Sequence, residues 1–110
     1  MHIAVINGLR KTKMNKNDHR VDEFTESKVY GGIQKTWHFT NGYGASVISH
    51  KYSYGGEKGQ WEIALMKGDD LYYIREDANM QHFDDVIGYL NDPQVDRYLQ
   101  MIASWDKDQY

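Results

Sequence analysis

A chain of 110 residues, 40% hydrophobic and 26% charged with a single proline, has the make-up of one globular domain, since domains usually hold about 100 to 150 residues and disordered chains are poorer in apolar side chains. The absence of cysteine removes disulfides, thiolate catalysis and cysteine-ligated zinc together. The net charge of −3 conceals an asymmetry: residues 1 to 60 carry nine Lys or Arg against five Asp or Glu, and residues 61 to 110 carry four against eleven, which fits either ordinary solvated surfaces or two halves that bind different partners.

In chain order, Ile3 to Ile6 form an apolar run closed by Asn7 and Gly8 and suited to a peripheral strand. The first positive charge, Arg10, follows this run, the reverse of a secretory signal, and no apolar stretch approaches the roughly 20 residues that span a bilayer. The chain is therefore expected in the cytoplasm and off the membrane. From Arg10 to Lys28 only Met14, Val21 and Phe24 are apolar beyond alanine size, and their lack of a period of two or 3.6 predicts a mobile segment or long loop. From Thr36 the pattern changes to short β-prone segments, Thr36 to Thr40, Ala45 to Tyr52, Gln60 to Met66 and Leu71 to Arg75, separated by turns rich in Gly, Asn and Asp.

Pairing Thr40 with Ala45, Tyr52 with Trp61 and Met66 with Leu71 gathers Trp37, Phe39, Ile48, Tyr52, Trp61, Ile63, Leu65, Tyr72 and Ile74 on one face, because side chains alternate along strands and match across them. Ala45, Val47, Met66, Leu71 and Tyr73 then join polar residues on the other face. Phe83, Val86, Ile87 and Leu90 stand at i, i+3, i+4 and i+7 and predict a short helix over the core face. A longer helix restarts at Asn91-Asp92-Pro93, with Asp92 as N-cap, Pro93 at the first helical position, and Val95, Tyr98, Leu99, Ile102 and Trp105 on its buried stripe. The expected fold is α+β, a four- to five-stranded antiparallel meander with two C-terminal helices packed on one face. A partly mobile, basic N-terminal segment (residues 1 to 35) precedes this α+β domain (residues 36 to 110).

No residue pattern points to catalysis, and the chain is expected not to be an enzyme. Asp69-Asp70, Glu76-Asp77 and Asp84-Asp85 are adjacent in sequence, and neighbours on a strand or helix point apart rather than converge on one bond. Ser46, Ser49 and Ser53 lie near His50 without the strand–turn–helix elbow of a nucleophile. His38 and His50 fall on opposite faces of the expected sheet, and His82 with Asp84 and Asp85 reads as helix first-turn chemistry, so neither metal nor cofactor is expected. Gly31-Gly32 and Gly55-Gly56 match neither phosphate-loop pattern and read as turns. Each follows a tyrosine and stands at the same distance before a tryptophan, a weak internal echo.

Two binding surfaces are left. Asp84, Asp85, Asp92 and Asp96 form an acidic stripe that would steer a basic protein partner, with Tyr73 and Met66 as desolvated anchors. Arg10, Lys11, Lys13, Lys16 and Arg20 form a basic tract suited, as an alternative, to nucleic acid.

The stretch from Trp37 to Trp105 resembles a group of short accessory proteins encoded by tailed bacteriophages. The resemblance is carried by Asn41-Gly42-Tyr43-Gly44 leading into Ala45 to His50, then by Ser53 to Gly56, Trp61 to Leu65 and Asp85 to Leu90. It implies a small protein made in an infected bacterial cell that binds a host enzyme, defence component, or replication or transcription factor. It carries no catalytic motif.

Overall fold

The computed structural model describes residues 14–74 and 80–106, with the backbone alone at 81 and 82. The first two strands, β1 (Val21–Val29) and β2 (Gly32–Phe39), are joined by Tyr30 and Gly31. Both linking residues have positive φ, 47° and 75°, as a type I′ turn requires; its twist matches that of the strands it connects. A three-residue loop leads to β3 (Tyr43–Ser49), and its Asn41 carboxamide oxygen accepts the Tyr43 N–H at 3.0 Å. A longer connection containing a 3-10 turn (Gly56–Lys58) leads to β4 (Trp61–Lys67), which folds back into the two-residue β5 (Asp70–Leu71). A second 3-10 turn (Gln81–Asp84) precedes β6 (Ile87–Leu90) and the helix α1 (Asp92–Ser104).

All pairings are antiparallel, in the order β1-β2-β3-β4. The far edge of β4 is shared: β5 pairs with its end at Met66 and Lys67, and β6 with its beginning at Trp61 and Ile63. The inner face carries Phe24, Trp37, Phe39, Tyr43, Ala45, Val47, Ile63 and Leu65. α1 lies across it, burying Val95, Leu99, Ile102 and Ala103. Met14 closes the core on one side of the helix, and Met80 and Phe83 close it from the chain before β6.

This architecture corrects the sequence reading at four places. There is one C-terminal helix, not two: residues 83 to 90 form the end of a 3-10 turn and strand β6. A bulge in β6 sets Ile87 opposite Ile63 and Leu90 opposite Trp61, so residues three apart share a face and imitate helical spacing. Residues 21 to 28, read as loop, belong to β1, and the sheet runs across the boundary placed at residue 36. A bulge between Val21 and Glu23 again brings two apolar residues three apart, Val21 and Phe24, onto one face, opposite Phe39 and Trp37. The third correction is the register of β3. Trp37 lies opposite Ala45 and Ala45 opposite Leu65, so Ala45 and Val47 point into the core while Ile48 and Tyr52 do not.

The fourth concerns the helix cap. Asn91, not Asp92, is the N-cap: its side chain accepts the Gln94 N–H at 2.9 Å while the Gln94 side chain accepts the Asn91 N–H at 2.9 Å, a reciprocal capping box. At the other end Asn41 donates its Nδ2 to the carbonyls of Ile102 (2.7 Å) and Trp105 (3.0 Å), satisfying acceptors that a helix end leaves open. The expected strand at Ile3 to Ile6 lies outside the described residues.

Arg20 joins the start of β1 to α1. Its Nε and Nη2 each donate to Asp18 at 3.0 Å, Nη2 also to Gln100 Oε1 at 2.8 Å, and Nη1 to Ser104 Oγ at 3.2 Å. The hydrogen bonds from the Arg20 side chain and backbone hold the Asp18 carboxyl well below the usual carboxylate range.

The corrected register is tested by Val47→Ala, expected to cost about 2 kcal/mol in urea unfolding, against Ile48→Ala, expected to cost less than half of that. A depressed native pKa means Asp18 contributes stability above its unfolded-state pKa of about 3.9 and loses it as acid protonates the carboxylate. The stability difference between the wild type and Asp18→Asn is therefore expected to be constant from about pH 5 to 8 and to shrink below about pH 4.

Candidate interaction surface

Of the seven large apolar or aromatic residues found exposed among the described residues, five (Tyr30, Ile33, Tyr52, Tyr54 and Tyr89) lie at one end of the sheet. Leu71 and Tyr73 lie elsewhere. That end is formed by the β1–β2 turn, the 50–60 connection and the residues of β6 just before α1. The Tyr30 ring meets those of His50 and Tyr52 edge-on at 5.2 Å each, and Tyr54 and Tyr89 lie 6.3 Å apart. Lys51 Nζ sits 5.1 Å from the Tyr52 ring.

The connection that presents these rings is held by its own hydrogen bonds. Ser53 Oγ accepts the His50 N–H and donates to the His50 carbonyl, both at 2.9 Å, and His50 Nδ1 accepts the Tyr52 N–H at 3.0 Å. The Tyr54 N–H donates to Glu62 Oε1 at 2.9 Å, and the Tyr54 carbonyl accepts the Tyr89 N–H at 3.1 Å. A Cβ at Gly88 would collide with the Tyr54 side chain, so the connection is seated directly on β6. Of the three serines near His50, Ser53 is thus occupied with backbone groups, as is His50 Nδ1.

Two of the exposed tyrosines occupy backbone positions that suit glycine or asparagine. Tyr30 has φ 47° and Tyr89 φ 60°, and these are the only described non-glycine residues with positive φ. An L side chain there costs roughly 1 to 2 kcal/mol, and such residues persist where surrounding structure imposes them, often at functional sites.

Beside the rim, the described residues leave the inner face of the sheet uncovered beyond the start of α1. A concavity of about 460 Å³ is lined by Lys28, Gly31, Gly32, Ile33, Ser49 and Trp61. Trp61 also walls a cleft of about 200 Å³ between sheet and helix, where Trp37, Val47 and Leu99 form an apolar lining. The Trp61 indole is oriented by donating to Asp92 Oδ1 at 2.8 Å, and Lys35 Nζ lies 5.1 Å from its ring. The buried Trp37 indole N–H has no hydrogen-bond partner among the described residues.

The acidic stripe expected from sequence is not a single free surface. Asp84 is exposed; Asp85 is exposed and accepts the N–H of Val86 at 2.7 Å. Asp92 serves Trp61, and half-buried Asp96 accepts the Met14 N–H. Tyr73 is exposed, but Met66 is buried, a correction to its role as a surface anchor: β3 and β5 flank it in the sheet. Of the basic tract, Arg20 is committed to Asp18 and α1, Lys16 is exposed, and Arg10, Lys11 and Lys13 lie outside the described residues. His82 and the Glu76-Asp77 pair also lie outside the described side chains. Sequence reasoning missed the tyrosine rim; its traces were the nine tyrosines and the repeated Tyr-Gly-Gly.

Among the described residues no three His, Cys, Asp or Glu converge as metal ligands, and no helix is long and apolar enough to cross a membrane. No protein-family model matches the chain, and no curated protein or solved structure is significantly similar to it.

Tyr30→Asn keeps a residue that tolerates positive φ and removes the ring. It is expected to raise the melting temperature or leave it unchanged, whereas Tyr30→Val, which is β-branched, is expected to lower it.

Proposed function

We propose that the chain is a non-enzymatic binding module that grips another protein with its tyrosine rim, and that this partner is a protein of a bacterial host. The carrying observation is the concentration of exposed tyrosines at one end of the sheet, two of them on strained backbone. Tyrosine offers a large, rigid, amphipathic contact at low entropic cost and is enriched among the residues that dominate interface energy. The half-buried Trp61 and exposed Ile33 extend the rim into a concavity fit for a protruding side chain. The phage-type resemblance supplies the host context and a place of action in the bacterial cytoplasm.

A second reading rests on two contacts, Lys51 over Tyr52 and Lys35 over Trp61. Cations beside an exposed ring, Tyr52, and a half-buried one, Trp61, suit single-stranded nucleic acid, whose bases stack on aromatics while phosphates meet lysines.

The test is affinity capture from bacterial lysate by the immobilised wild type and by Tyr52→Ala/Tyr89→Ala. A protein retained by the wild type and reduced at least about tenfold on the variant, at unchanged melting temperature, is the expected result, since hot-spot truncations cost 2 kcal/mol or more. Equal retention by both chains would remove the rim from the interface. Binding of a single-stranded oligonucleotide at physiological salt, lost in the same variant, would establish the second reading instead.

A further inference from the structure

β1 is a nine-residue edge strand, and no described strand pairs with its outer side. Long edges present a row of open N–H and C=O groups that invite another strand. The bulge at Asp22 takes the beginning of β1 out of regular pairing and leaves Phe24 to Val29 as the straight portion of the edge.

The direction of the open groups follows from the turn. In a two-residue hairpin the residues flanking the turn, here Val29 and Gly32, exchange both backbone hydrogen bonds, so Val29, Ser27 and Thr25 direct theirs to β2. Lys28, Glu26 and Phe24 direct theirs outward.

In an antiparallel ladder, opposed residues both turn their polar groups toward each other or both away. Two copies of β1 therefore pair only with even-numbered residues opposite even and odd opposite odd, and a two-fold axis must pass through a residue. An axis at Glu26 sets two carboxylates face to face, and one at Lys28 sets two ammonium groups face to face. One at Phe24 opposes Asp22 to Glu26, and one at Thr25 opposes Glu26 to Phe24 and leaves Lys28 facing the bulge. Only an axis at Ser27 sets Lys28 of each copy opposite Glu26 of the other, twice by symmetry. Both side chains are exposed, and neither makes an ion pair or side-chain hydrogen bond among the described residues.

We propose that β1 is a self-association edge, on which a second copy of this chain docks antiparallel about a two-fold axis through Ser27, joining the two sheets into one. The contact consists of backbone bonds and reciprocal Lys28–Glu26 pairs with little apolar burial, which makes it weak, salt-sensitive and confined to concentrated protein.

The chain has no cysteine, so single-cysteine variants report register directly. Non-hydrogen-bonded antiparallel partners sit about 4.5 Å apart at Cα, within disulfide range. Ser27→Cys is expected to give a disulfide-linked dimer under mild oxidation and Thr25→Cys little or none. Sedimentation of the cysteine-free chain supplies an independent readout. Glu26→Lys and Lys28→Glu, each opposing like charges, are each expected to weaken self-association at least about tenfold, the range of charge-pair effects at interfaces. An equimolar mixture of the two restores the dimer as a heterodimer, because each copy then meets opposite charge. A wild type monomeric at about 1 mM, too weak for specific pairing, would overturn the proposal. So would dimerisation indifferent to both reversals, or cross-linking stronger at residue 25 than at 27. The Tyr52→Ala/Tyr89→Ala variant, whose changes lie outside β1 and its turn, is expected to leave these readouts unchanged, so failure here is distinct from failure of the partner-binding reading.

Discussion

Among the described residues a single helix covers the inner face of a six-stranded sheet. Thirteen residues make α1 roughly 20 Å long and about 10 Å wide with side chains, whereas strands spaced about 4.8 Å apart make the sheet more than 20 Å wide. The helix alone cannot keep that face dry. Its flanks are closed by Met14 on one side and by Met80 and Phe83 on the other, residues that belong to irregular chain rather than to another helix. Beyond the start of α1 no described residue arrives to close the face, and among the described residues it stays open at Trp61 and Ile33.

Because coverage is so limited, the placement of α1 is tightly held. The capping box at Asn91, the Trp61–Asp92 bond, the Asn41 bridge to the last carbonyls and the Arg20 clamp together tie the helix to β1, the β2–β3 loop and β4. Hydrogen bonds of this kind contribute only about 1 kcal/mol each, but they are directional where apolar contact is not. They specify where the helix lies, and hydrophobic burial supplies most of the stability. Arg20 and Asp92, which resemble free surface charges in the sequence, are spent on this positioning.

The tyrosine end shows the opposite balance. Tyr30 and Tyr89 occupy positive-φ positions at which asparagine or glycine would be less strained, and their rings remain exposed. Local consistency is given up there while the neighbouring 50–60 connection is held by its own hydrogen bonds, the pattern expected where strain is tolerated at a recognition surface.

Much of the meander was legible in the sequence alone: alternation marked β2, β3 and β4, Gly and Asn marked the turns, and the 3.6 period of Val95, Leu99 and Ile102 marked α1. Parity also placed Trp37, Phe39, Ile63 and Leu65 in the core. What sequence could not provide was the position of the bulges. One extra residue in β1 and one in β6 bring Val21 with Phe24, and Ile87 with Leu90, onto one face at a spacing of three. The spacing of Val21 and Phe24 then reads as aperiodic, and that of Ile87 and Leu90 imitates a helix. Register at β3 had the same weakness, because Ala45 and Val47 compete with Ile48 for the core, and a loop one residue shorter than expected reverses the choice. The candidate site was the least legible part. Tyr30, Tyr52, Tyr54 and Tyr89 are scattered over sixty residues, and only the closure of β6 onto β4, an edge pairing no local pattern encodes, brings the 50–60 connection and the end of β6 together into one rim.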